Sequence, residues 1–287
     1  MAILPSHKEG ILYLEHCAVR SSDDRLAFVR RKEAVEQHFS IPLKNVAILL
    51  LGPGTSITQQ AARLCAEGQM LLGFCAGGAT PVYMASLNEY REPTYSRQWI
   101  ARWTNEPTRL AMAVNFQHKR AALLRKHWPS ELSPASALEP MIALFERQLK
   151  SVKSPQDILS IEAQLTKELY SAAAKSLLFS RQSRSADAGV NDLLDASNYL
   201  AYGLASVCLW VLGIPFSYPV VHGKTRRGAL VFDVADIVKD ALVLPNVFIS
   251  AHNGESESQC RRRVLAALHG ANALSVLFDA VLAECID

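Results

Sequence analysis

The segment His222-Gly-Lys-Thr-Arg-Arg-Gly-Ala-Leu-Val-Phe-Asp233-Val-Ala-Asp236 gathers the residue types that do phosphate chemistry. A histidine stands beside three cationic side chains, Lys224, Arg226 and Arg227, and two aspartates follow. Asp233 and Asp236 are three residues apart, so on a helix both carboxylates face one way. Two such carboxylates repel unless a cation lies between them or one takes a proton. Oxygen ligands of this kind suit Mg²⁺ or Mn²⁺, and a histidine nitrogen leans the choice toward Mn²⁺. The plain alternative is a helix start with solvated acids on its outer face. On spacing alone, that alternative is favoured. Asp240, four residues past Asp236, either shares the acidic face or ends the stripe.

Glu162 is a second point of interest. It adjoins an apolar stripe of Ile158, Leu159, Ile161, Leu165, Leu169 and Ala173 at helical spacing. A carboxylate at that edge must be paired, protonated or metal-bound, and by itself an ordinary salt bridge explains it best. Basic clusters that could meet phosphate lie at His118–Arg120, Arg125–His127, Arg181 and Arg184, and Arg261–Arg263. A charge run is usually a solvated face; only Lys224, Arg226 and Arg227 adjoin candidate ligands. Gly223-Lys224-Thr225 ends like a phosphate loop, but the position five residues before Gly223 is Tyr218, not glycine. Gly52-Pro53-Gly54 lacks the following lysine, so neither segment is a P-loop.

The elements that must position these groups divide the chain in two. Over 287 residues, 49% are apolar and 20% charged, with a net charge of +3. That suits a globular protein with one large or two ordinary domains, and it permits nucleic acid without requiring it. The six cysteines form no C-x-x-C pair, and their apolar neighbours suit buried, reduced thiols in a cytoplasmic protein. The N-terminus has no signal-peptide layout, and the apolar run Ala201–Ile214 is too short to span a bilayer, so no membrane is expected.

Residues 1–90 read as β-rich. Strands are expected at Ile11–Val19, Arg25–Val29, Val46–Leu51 and Met70–Cys75, with one helix after Gly54 capped by Thr55 or Ser56. Val46–Leu51 and Ile11–Leu14 are either core or part of a dimer face, with core preferred. Residues 91–96 read as a linker. From residue 97 to 287 the period is helical, with helices near 97–127, 135–150, 155–180, 189–212, 230–242 and 256–285, mostly punctuated by prolines. The fold class is therefore α+β: a small N-terminal β-rich domain followed by a larger all-α domain.

The run Leu212–Asp240, with His222, Asp233 and Asp236 inside it, resembles the signature of the CRISPR-associated integrase, the metal-dependent DNA endonuclease of spacer acquisition. The wording is closest to the type I-F branch. Ser160-Ile-Glu162-Ala resembles that family's catalytic-glutamate segment, and Val190–Tyr199 its asparagine-containing helix. The resemblance implies that Glu162, His222 and Asp236 are metal ligands for Mg²⁺ or Mn²⁺. It makes Asp233 a further catalytic acid that orients a ligand, holds a water or assists a second ion. Lys224, Arg226 and Arg227, with Arg261 and Arg262, would hold DNA phosphate.

The same resemblance implies two reactions on DNA. A fragment's 3′-hydroxyl attacks a phosphodiester at the border of a CRISPR repeat, or water attacks instead. It further implies a homodimer, with dimerisation in the N-terminal domain. A small ferredoxin-like adaptation protein, in this branch fused to a helicase-nuclease, would be the partner. Two other readings use the same residues: a structure-specific repair nuclease for branched DNA, and a catalytically silent DNA-bridging scaffold.

Overall fold

The computed structural model describes residues 10–32, 35–68, 70–75, 81–85, 94–177, 184–223 and 228–285. The chain forms two compact units, Met1–Arg91 and Glu92–Asp287. The first holds two four-stranded sheets. One has the order β1 (Gly10–Leu14), β5 (Val46–Leu51), β7 (Leu71–Cys75), β8 (Pro81–Ala85); the first three strands are parallel, and β8 runs antiparallel to β7. The other has the order β4 (Val35–Ser40), β3 (Arg25–Lys32), β2 (Ala18–Ser22), β6 (Ser56–Ile57). The apolar run of β5 is buried at every position, as a central parallel strand requires. It is therefore core, and not a dimer face. Leu14, Leu49 and Leu72 from one sheet and Val19 and Leu26 from the other form one cluster with Ala61 and Cys65 of helix α1 (Gln59–Glu67).

The expected strand Ile11–Val19 is broken in two at His16, whose φ of 50° no strand allows. The cap of α1 is Thr58, not Thr55 or Ser56; its hydroxyl accepts from the Ala61 N–H at 3.2 Å. Strands β4, β6 and β8 carry no strong alternation and were not foreseen.

Residues 94–285 are helical where described, with no strand. The expected helix 97–127 is two, α2 (Thr94–Thr104) and α3 (Glu106–His127), divided at Asn105, which caps α3 ahead of Pro107. Next come α4 (Ala135–Leu149), α5 (Pro155–Ser176) and α6 (Arg184–Val211). The segment beginning near residue 230 runs on past its expected end: α7 (Ala229–Val238) passes through a π-helical turn (Lys239–Val243) into α8 (Leu244–His252). The last helix is also two, α9 (Glu257–Gly270) and α10 (Ala273–Ala283), parted at Asn272 with φ 50°. Helix α6 packs against α7, α8, α9 and α10, and α3 packs against α4, α5 and α7. Ile158, Leu165, Leu169 and Ala173 bury the inner face of α5, as the stripe foretold. Truncating one of these leucines to alanine would cost about 2–5 kcal/mol. All six cysteines are buried, free thiols. Among the described residues no single helix is long and apolar enough to cross a membrane.

Candidate metal centre

Three elements converge on one point. Glu162 comes from the middle of α5, Asp236 from α7, and His222 from the loop between α6 and α7. Each offers one ligand atom, and the three atoms lie within 4.8 Å of one another. A stripe of polar groups facing a buried helix would be costly without partners, and here every member has them.

The loop is held from both sides. Trp99 donates its indole N–H to the Tyr218 carbonyl at 3.1 Å, and Trp103 donates to the Pro219 carbonyl at 2.6 Å. Opposite them, Asp233 receives the backbone N–H groups of Val220, Val221 and His222 at 2.6, 3.1 and 3.0 Å. Gly228, with φ 66°, enters α7 in the left-handed region, where a side chain would be strained. The Leu230 N–H returns to the Phe216 carbonyl at 3.1 Å, closing the loop's base.

This arrangement separates the two aspartates that the spacing put together. Asp233 Oδ1 also meets His222 Nδ1 at 2.6 Å, so its two oxygens serve four donors. It fixes the ring and leaves Nε2 facing Asp236 Oδ2 at 3.8 Å. A carboxylate behind a histidine in this manner sets the tautomer that a metal needs. Asp236 Oδ1 takes the Lys239 ammonium at 2.7 Å, and Lys239 also lies 5.3 Å from the Tyr202 ring centroid. Glu162 Oε1 meets Arg120 Nη1 at 3.1 Å, and its Oε2 accepts from Gln117 at 3.4 Å.

Charges follow from these contacts. Burial pushes the Glu162 carboxyl up; Arg120 opposes this and the Asp236 charge adds to it. Burial would raise Asp236 too, but Lys239 and Arg120 prevail and hold it below the usual range. Burial would lower His222, yet its bond to Asp233 and the charges of Asp233, Asp236 and Glu162 raise it. Two oxygen donors and an imidazole nitrogen, with the second ring nitrogen already bonded, fit a divalent ion such as Mg²⁺ or Mn²⁺.

Beside this point opens a cleft of about 740 Å³, lined by Glu162, Asp236, Lys239, Lys167, Asn191 and Asn198 among others. Sequence reasoning missed Arg120, Lys239 and the two tryptophans. Lys239 was within reach as the i+3 partner of Asp236. Arg120 sits on the buried face of α3 in line with Ala113, Phe116, Gln117 and Leu124, but the cationic run around it disguised that.

The expected phosphate contacts fare unevenly. Lys224, Arg226, Arg227 and Arg181 lie outside the described residues, as does the side chain of Arg184. Arg261 is only 8% exposed and donates to Glu257 at 2.7 Å. Arg262 is exposed, on a surface depression with Gln259 and Arg263. Arg125 is engaged by Glu139 and Glu146 on α4.

An all-α unit here brings two carboxylates and an oriented imidazole together as a candidate metal site, beside a cleft lined by lysines and asparagines. Residues 11–262 match the family model for CRISPR-associated protein Cas1. The CRISPR-associated endonuclease Cas1 of Pectobacterium atrosepticum is 39% identical over 302 residues, covering 97% of this chain and 93% of that protein. The one from Pseudomonas aeruginosa is 38% identical over 300 residues, covering 96% and 93%. The solved TtCas1–DNA complex shares the fold with a TM-score of 0.71 at 22% identity, covering 97% of this chain and 92% of that one. The chain belongs to the Cas1 family.

Proposed function

We propose that this protein is a metal-dependent DNA endonuclease and integrase that inserts short DNA fragments into a CRISPR array, through attack of a 3′-hydroxyl on a phosphodiester at the repeat border. The convergence of Glu162, His222 and Asp236 within 4.8 Å carries this reading. Relatives at 38–39% identity over nearly the whole chain bear the name endonuclease, which supports it. A bound Mg²⁺ or Mn²⁺ supplies Lewis-acid stabilisation of the phosphorane-like transition state and polarises the oxygen nucleophile. Glu162, Asp236 and His222 would hold that ion. Asp233 keeps His222 in the tautomer with Nε2 free. Lys239 balances the charge of Asp236. Lys167, Asn191 and Asn198 line the cleft where a strand's phosphates and sugars would lie. Lys224, Arg226, Arg227 and Arg262 extend the cationic surface in this reading.

Insertion at both ends of a repeat needs two centres at a fixed separation. We assign that to a homodimer formed through the N-terminal domain, residues 1–90, with the small ferredoxin-like adaptation protein as partner and residues 97–287 as the catalytic domain. The test supplies purified protein with a DNA fragment and a repeat-bearing plasmid, and separately with a nicked junction. Wild type should join fragment to repeat in the presence of Mn²⁺. Glu162→Ala and His222→Ala should keep the fold and lose joining. Full joining by both variants would overturn the reading, and cleavage of junctions without joining would favour the repair nuclease.

A further inference from the structure

The loop that carries His222 has committed its backbone. The carbonyls of Tyr218 and Pro219 accept indole N–H groups from α2, and the N–H groups of Val220, Val221 and His222 all go to Asp233. Asp233 alone would leave the loop free to swing about one carboxylate. The two indole bonds remove that freedom. The Pro219 ring locks one of the dihedrals between the two accepting carbonyls, so little slack remains there.

The two tryptophans are not alike. Trp99 is 0% exposed and stacks on Phe116 with ring centroids 6.3 Å apart, so packing accounts for it. Trp103 is half-buried. With Arg109, Pro219 and His222 it lines a hollow of about 560 Å³, so core packing does not demand an indole at this position. Yet its single donor makes the shorter of the two bonds, 2.6 Å to the Pro219 carbonyl. The ring is also aimed. The Arg109 guanidinium carbon lies 5.0 Å from the Trp103 ring centroid, and Arg109 Nη1 donates to the Trp103 carbonyl at 3.3 Å. Glu106 holds that guanidinium at 3.5 Å. The Tyr218 ring meets Trp103 near perpendicular, with centroids 5.0 Å apart.

We propose that Trp103 is a positioning residue for the metal centre: its indole N–H, aimed by Arg109, sets the path of the loop and so the place of the His222 ring beside Glu162 and Asp236. It acts through the segment Pro219–His222. This rests on the metal-centre reading above.

The test uses the full chain without DNA. Trp103→Phe keeps an aromatic ring and deletes the donor. Titration calorimetry should show Mn²⁺ binding about 3–10-fold weaker, the equilibrium worth of one hydrogen bond. Hydrogen exchange of the Val220, Val221 and His222 amides, read on metal-free protein, should quicken by a similar factor. Arg109→Leu leaves the indole and removes its aim, and should show both effects to a smaller degree. Should Trp103→Phe fail to fold, Arg109→Leu decides in its place. Ile142→Ala is the control. It empties a buried position on α4, which supplies no residue to the centre, and should lower melting while leaving both readouts at wild type. Wild-type Mn²⁺ affinity in Trp103→Phe would overturn the proposal. An equal loss of affinity in Ile142→Ala would overturn it too, because the bond would then be merely structural. If wild type binds no Mn²⁺, the metal-centre reading falls by itself, and unchanged amide exchange in Trp103→Phe would then remove the loop latch as well.

Discussion

Asp233→Asn tests how the centre is held, because asparagine keeps the shape and changes only the donor count. One Asp233 oxygen accepts from Val220 N and Val221 N, the other from His222 N and the His222 ring. An amide has one oxygen, so its NH₂ must face one of those two pairs of donors. Each buried donor left without an acceptor costs about 1–3 kcal/mol, so the pair costs about 2–6 kcal/mol. For a unit the size of Glu92–Asp287, where about 1 kcal/mol moves melting by about 2–4 °C, the fall is roughly 5–20 °C. The imidazole loses its orienting partner as well, which should weaken Mn²⁺ binding about 10–100-fold. His222→Ala provides the contrast. The ring is 15% exposed and its removal leaves the three backbone donors on Asp233, so melting should fall by less than in Asp233→Asn while Mn²⁺ binding is lost. Differential scanning calorimetry and Mn²⁺ titration read both quantities. If Asp233→Asn melts with wild type and binds Mn²⁺ equally well, the four-donor account of this carboxylate is wrong.

Two further outcomes are expected. His222 titrates above its ordinary value of about 6.5, so its charged form stabilises the metal-free protein at low pH, and that contribution is lost as pH rises through the raised value. Mn²⁺ must displace that proton. Its affinity should therefore drop about tenfold per pH unit below the His222 value, with one proton released per ion in calorimetry repeated across buffers; a pH-independent affinity from pH 6 to 8 would contradict this. The arginine run of α9 should divide by burial. Arg262→Ala should lower the salt slope of DNA binding by about one without changing melting, whereas Arg261→Ala should lower melting and leave the slope alone, as its bond to Glu257 requires. Equal slopes for both would remove Arg262 from the DNA surface.

What could be read in advance depended on whether the cause was local. Val46–Leu51 announced a buried strand because a central parallel strand needs apolar residues on both faces. Glu162 could be singled out because it broke the edge of a regular stripe on α5. The helix breaks were harder. At Asn105 the signal was present, a capping residue followed by Pro107. Between Ala229 and His252 there was none to see: nearly every residue is buried, and a π turn is chosen by packing, with no local preference to mark it. The cage around Asp233 was equally hidden, since its donors are backbone N–H groups that every residue other than proline carries. Arg120 was masked by its neighbours His118 and Lys119, both exposed, so one buried charge looked like part of a solvated run.

The deeper regularity lies in the stripe Asp233, Asp236, Asp240. All three are buried, at 3%, 6% and 5% exposure. A row of buried carboxylates on one helical segment is destabilising unless each is answered separately. Asp233 is answered by backbone donors and the His222 ring, Asp240 by Arg120 and Thr166, and Asp236 by Lys239 on one oxygen alone. Its other oxygen faces the His222 Nε2 from 3.8 Å, beyond a hydrogen bond. The outer two aspartates are thereby spent on geometry, one fixing the histidine and one fixing the arginine that fixes Glu162. Apolar residues at these three positions would make a more stable helix. What the stripe leaves over is one Asp236 oxygen, which lies with a Glu162 oxygen and a His222 ring nitrogen within 4.8 Å of one another.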